Sequence, residues 1–184
     1  MFVAHLFAGY LCTRHTISRI RDQLTSAKHW KNYIVFGVFC SVLPDFDLLY
    51  FYTVDNRQHL HHSYWTHIPI FWALVAGLVY SGCRWVFKKR YGFICLILLL
   101  NTWLHLTLDT VAGGIYWLYP LSDVNIQWMH ITARYEWWVY NYIIHWTFLL
   151  EICIILAAVY TYRRDRCAFN EAANLTASIP EYRD

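Results

Sequence analysis

The basic residues of this chain fall almost entirely on alternate connections between apolar runs, and that pattern limits the fold more than any other feature. Four runs, residues 33–52, 68–87, 93–108 and 142–162, approach the roughly 20 residues a helix needs to cross a bilayer. Arg14, Arg19, Arg21, Lys28 and Lys31 precede the first run. Arg84, Lys88, Lys89 and Arg90 lie around the junction of the second and third, and Arg163, Arg164, Arg166 and Arg183 follow the last. The connections 53–67 and 109–141 hold only Arg57 and Arg134. A chain that crosses a membrane repeatedly keeps its basic loops on the cytoplasmic side, whereas a soluble helical protein with a greasy core has no reason to alternate. The fold expected is all-α, a polytopic membrane helix bundle with four to five membrane-embedded helices. The C-terminus is then cytoplasmic, and the two poorly basic connections face outward.

Composition agrees. Only 15% of residues are charged, against about 25% in soluble domains. The 20% aromatic content, with seven Gly and four Pro, excludes disordered and collagen-like chains. A formal charge of +3 is too small to argue for nucleic acid. Tyr50, Tyr52, Tyr64, Trp65, Tyr116, Trp117, Trp128, Trp137 and Trp138 crowd the outward edges, as an interfacial belt does. The six cysteines are single and lie mostly in or beside apolar runs, so neither a disulfide framework nor a thiolate metal site is expected. Residues 1–12 are apolar but lack a basic leader region and a cleavage site, which reads as a short or half-inserted helix. One membrane-embedded domain over 1–169 and a polar tail over 170–184 complete the organisation.

Several polar residues interrupt this pattern. Asp45 and Asp47 sit in the run at 33–52, His105 and Asp109 in or at the end of the run at 93–108, and His5 in the first apolar stretch. A carboxylate near the bilayer centre costs about 2.5–3.5 kcal/mol on insertion scales, so such groups pair, line a cavity or bind something. Pro44 removes a backbone donor and disfavours helix at Leu43, so P-D-F-D predicts a broken membrane helix. His105 and Asp109 share one helical face at i and i+4. His59, His61, His62 and His67 fall within nine positions of the outward connection. Running the helices in alternation brings His5, Asp45, Asp47, His62, His67, His105 and Asp109 to one depth near the outer face. Mixed imidazole and carboxylate donors suit zinc, and also manganese or iron; bridging carboxylates fit one or two ions. Glu151 reads as a structural partner for another helix, while His130 and Glu136 are secondary candidates in the outer connection.

These motifs resemble a known family. His5 with Gly9, L-P-D-F-D at 43–47, H-H-S-Y-W-T-H at 61–67, H-L-T-L-D at 105–109 and P-L-S at 120–122 are similar to the YdjM-like family of bacterial inner-membrane proteins, described as LexA-regulated, membrane-bound, metal-dependent hydrolases. The resemblance implies His5, Asp45, His62, His67, His105 and Asp109 as metal-ligand or catalytic positions, with His67 expected in both roles and Asp47 the second acid of the motif. The order of the motifs is also similar, more distantly, to the zinc-dependent phospholipase C and single-strand nuclease group. That group carries a second His-x-x-x-Asp, whereas His145 here is followed four places later by Leu149. Ser63 and Tyr64 stand where the family carries Arg-Gly.

The function expected is a metal-dependent hydrolase of an ester or phosphoester in a lipid or lipid-linked substrate reached from the bilayer. Water activated at the metal is the nucleophile, and Asp47 is the expected general base. The rival readings are a metal-binding transporter and a non-catalytic membrane regulator.

Overall fold

The computed structural model describes residues 3–19, 27–86, 92–132 and 134–177, with side chains at all of these except 27–29, 138 and 168–177. Arg21, Lys88, Lys89, Arg90, Arg183 and residues 178–184 of the expected tail lie outside that description. Among the described residues the chain is all-helical. Its helices are α1 (Ala4–Ser18), α2 (Ala27–Cys40), α3 (Asp47–Thr53), α4 (Pro69–Val86), α5 (Gly92–Thr110), α6 (Trp138–Ile144) and α7 (Thr147–Ala177). An isolated antiparallel bridge between Ile115 and Ile126 ties the long connection after α5 to itself.

Pairwise contacts give the helix directions. Gly9 lies against Ser41 and Thr13 against Gly37, so α1 and α2 are antiparallel. A side chain at Gly9 would collide with Ser41 Cβ, and the missing Cβ is what lets the two helices close. His5 stacks on His105 while Thr13 accepts a hydrogen bond from Asn101, so α5 also runs against α1. The Trp103 indole donates to the Pro69 carbonyl and Gly92 lies beside Tyr80, making α4 antiparallel to α5. Val3 N–H donates to Glu151 and Arg14 pairs with Asp165, so α7 runs parallel to α1. Directions therefore alternate along α1, α2, α4, α5 and α7, which brings positions 5, 41–47, 67 and 105–109 to one end of the bundle.

Two helices, Pro69–Val86 and Gly92–Thr110, are long and apolar enough to cross a membrane. A third span follows if Trp30–Cys40 and Pro44–Thr53 count as one crossing bent by 53°. The four to five embedded helices expected from sequence are thus met by two or three. The run at 142–162 is not one helix: His145 adopts an extended backbone between α6 and α7, and the apolar part of α7 contains Glu151 and ends at Arg163. α7 itself continues through residue 170, where a polar tail was expected, to Ala177. Only 17% of the apolar α4 window is buried within the protein. Leu74, Leu78, Trp85 and Val86 are exposed on α4, as are Leu149, Leu156 and Tyr160 on α7. Apolar surface on this scale needs lipid rather than water around it.

The break after α2 follows from Pro44. Proline has no N–H for the Cys40 carbonyl, and the chain tightens into 3-10 geometry, with Leu43 N–H bonding Cys40 O and Asp45 N–H bonding Val42 O. In a continuous helix Asp45 N–H would have gone to the Ser41 carbonyl, which is instead released. All six cysteines are free thiols.

Candidate metal centre

The released Ser41 carbonyl accepts a hydrogen bond from His105 Nδ1 at 2.7 Å. A carbonyl only accepts, so the ring hydrogen lies on Nδ1, and the lone pair of Nε2 faces the bundle interior. His67 is oriented in the same way by a different acceptor. Its Nδ1 lies 2.8 Å from Asp47 Oδ2, which also accepts from the Thr66 hydroxyl. The Thr66 carbonyl is held in turn by the Trp72 indole N–H at 2.7 Å.

The two Nε2 atoms converge on a pair of carboxylates. His105 Nε2 lies 2.9 Å from Asp109 Oδ2 and 3.5 Å from Asp45 Oδ1, and His67 Nε2 lies 3.8 Å from each of the same two oxygens. Ligand atoms of Asp45, His67, His105 and Asp109 all fall within 4.8 Å of one another. Both histidines are fully buried, yet neither Nε2 makes a hydrogen bond. Buried polar atoms are normally satisfied, and two imidazole lone pairs turned toward two carboxylates are an arrangement that a cation completes. The donor set fits a divalent metal that takes nitrogen and oxygen ligands.

Two more imidazoles flank Asp109. His5 Nε2 is 3.2 Å from its Oδ1, and His62 Nε2 is 3.8 Å from its Oδ2. All six residues expected as ligands are therefore brought together, from α1, the bend after α2, the 3-10 turns at 61–67, and α5. A second group, His61, His62 and His67, shares His67 with the first. Burial pushes the His62 imidazole down to about 3 and lowers that of His61, leaving both in the neutral form that donates a lone pair. The close approach of His62 depends on Gly113, where any Cβ would overlap the His62 ring and lie 3.1 Å from the Asp109 carbonyl.

Asp47 stands apart from the other acids. It faces the rear of His67, in the carboxylate–histidine arrangement that fixes a metal ligand, and is not one of the four groups around the candidate ion position. The site opens at one edge, where the Asp45 and His62 side chains are 30% and 20% exposed.

His130 and Glu136 are exposed on the long connection, and His59 pairs with Asp55 at the surface. Glu151 takes a structural role. It is fully buried on α7 and accepts the Val3 N–H at 2.8 Å, anchoring the helix that carries His5. At the other end Arg14 forks onto Asp165 and holds that carboxyl below its ordinary range. Sequence reasoning did not assign the Ser41 carbonyl, Thr66, Gly113 or a ligand role for His61. His61 was visible in the histidine cluster and the freed carbonyl in Pro44, but the others depend on which chains meet in space.

Comparison with curated proteins and with solved structures gives no significant match. The family model of the YdjM inner membrane protein matches residues 1–172, a span that includes every residue of the centre described above. The chain belongs to the YdjM inner membrane protein family.

Proposed function

We propose that this protein is a membrane-bound, metal-dependent hydrolase acting on an ester or phosphoester of a lipid or lipid-linked substrate. The observation that carries the reading is the pair of buried, hydrogen-bond-free Nε2 atoms of His67 and His105 facing Asp45 and Asp109. These four residues hold the ion, for which zinc is the first choice and manganese or iron the alternatives. His5, His61 and His62 flank this group and would be the residues to hold a second ion. When bound, a divalent cation supplies Lewis acidity toward an ester or phosphoryl oxygen and acidifies water.

The chain's own groups do the remainder. The Ser41 carbonyl and Asp47 keep a hydrogen on Nδ1 of His105 and His67, which leaves both Nε2 atoms as donors of electron pairs. Asp47 acts by positioning His67. The proton of attacking water passes to Asp45 Oδ2, because Asp45 is the partly exposed carboxylate at the open edge. Burial of His67, His105 and Asp109 keeps bulk water away from the centre.

The basic clusters support a multi-pass arrangement with a cytoplasmic C-terminus and the centre in the outer leaflet, where a lipid-linked substrate would enter sideways at Asp45. The bilayer is then the protein's principal partner. The test is elemental analysis of detergent-purified protein, followed by a screen of phosphoester and lipid ester substrates. At least one ion per chain and turnover that stops in His105→Ala are expected. Metal-free protein, or turnover unchanged in His105→Ala, would overturn the reading. Metal flux in proteoliposomes without turnover would favour a transporter.

A further inference from the structure

The segment that carries His61, His62 and His67 has a second face. Its Ser63, Trp65 and Ile68 line an open cavity of about 550 Å3, lined on the other side by Tyr116, Tyr119 and Asp123 of the long connection after α5. The volume is within the range of small-molecule sites. Three of the six lining residues are aromatic, one is an acid, and none is basic. The outward connections hold only Arg57 and Arg134, and neither lines the cavity. Ser63 already donates its hydroxyl hydrogen to the Leu60 carbonyl, so this oxygen is left to accept and not to donate. Walls of this kind attract positive charge: aromatic faces carry negative potential, and an acid in a lining with no basic residue adds to it. A phosphate or carboxylate would find no counter-charge here, and an uncharged guest would leave Asp123 unused.

We propose that this cavity binds an organic ammonium group, held between the Trp65, Tyr116 and Tyr119 rings and the Asp123 carboxylate. As a binding site it stands without the hydrolase reading; as the headgroup subsite of the substrate it rests on that reading. The shared segment 61–68 would then set the distance between the ammonium group and the bond to be cleaved.

The probe is choline, with its neutral tert-butyl analogue as control, followed by saturation-transfer NMR on full-length protein in a non-ionic detergent. Choline should bind saturably and the analogue about tenfold more weakly or not at all. Asp123→Asn and Tyr116→Leu should each weaken choline about tenfold while leaving metal content unchanged. His105→Ala should retain choline binding even though turnover is lost, so failure here and failure of the hydrolase proposal are separable. Equal binding of the neutral analogue, or full choline affinity in both Asp123→Asn and Tyr116→Leu, would overturn the proposal. Nanodiscs distinguish the source: competition from phosphatidylethanolamine and not phosphatidylglycerol assigns the site to a lipid headgroup, and competition from neither assigns it to a soluble amine.

Discussion

Asp47 separates a positioning carboxylate from a ligand or a free base. Its Oδ2 accepts from His67 Nδ1 at 2.8 Å and from the Thr66 hydroxyl, both in a buried setting. Replacement by Asn keeps an acceptor oxygen at that point and removes the charge. Replacement by Ala removes both and leaves two buried donors unmet, at about 1–3 kcal/mol each. Loss of an outer partner of a metal-binding histidine typically lowers metal affinity 10–100-fold. The expected result is therefore about tenfold weaker binding for Asp47→Asn, about 1.4 kcal/mol, and close to 100-fold for Asp47→Ala. Stoichiometry at saturating metal should be unchanged in Asp47→Asn. The assay is competition against a chromophoric chelator, with total metal measured by elemental analysis. Complete loss of metal in Asp47→Asn would make Asp47 a ligand, and unchanged affinity in Asp47→Ala would mean that it positions nothing. Either result would refute the reasoning.

Further outcomes follow from the geometry. Asp109→Asn should abolish metal binding and turnover together, because this carboxylate meets His5, His62, His67 and His105 within 3.8 Å; elemental analysis and the substrate assay check it. Gly113→Ala should displace the His62 ring and destabilise the fold by about 1–3 kcal/mol, read as a lower thermal midpoint and slower turnover with the Asp45–His67–His105–Asp109 group still able to bind one ion. Glu151→Ala should cost about 1.5–3 kcal/mol through loss of the charge-assisted bond to Val3, measured by thermal unfolding in detergent, while Asp165→Asn on the half-exposed Arg14 pair should cost about 1 kcal/mol or less. Asp55 is held at about 2, chiefly by the His59 side chain, below the ordinary value of about 3.9. Its contribution to stability is thus fully present above pH of about 3.9 and is lost as pH falls through about 2; carbon NMR of the carboxyl should show no titration above about pH 3.5.

Much of the candidate centre was legible in the sequence because membrane insertion makes polar residues conspicuous. Asp45, His105 and Asp109 stand out against apolar runs, and alternating charge gave the helix directions that bring them to one end with His5 and His67. The i, i+4 spacing of His105 and Asp109 survived intact because it is a property of one helix. Span count was less legible, since the run at 142–162 reads as continuous while the backbone at His145 is extended and Glu151 turns inward to hold α1. The part played by Asp47 was hidden for a different reason. The motif marks it as the expected general base beside the ligand Asp45, yet in the fold its Oδ2 faces His67 Nδ1 and the Thr66 hydroxyl and not the candidate ion position. Gly113 was likewise silent, because its meaning lies in the ring that packs on it from some fifty positions earlier in the chain.

The kink at Pro44 has a consequence for how this protein could change. If an alanine there let the helix run straight, Asp45 N–H would reclaim the Ser41 oxygen, His105 would lose the acceptor that sets its tautomer, and its lone pair would be free to turn out of the cluster. Straightness of this crossing and competence of the imidazole on the neighbouring helix are therefore mutually exclusive. A variant selected only for a sturdier bundle would be driven toward losing the geometry that could hold an ion.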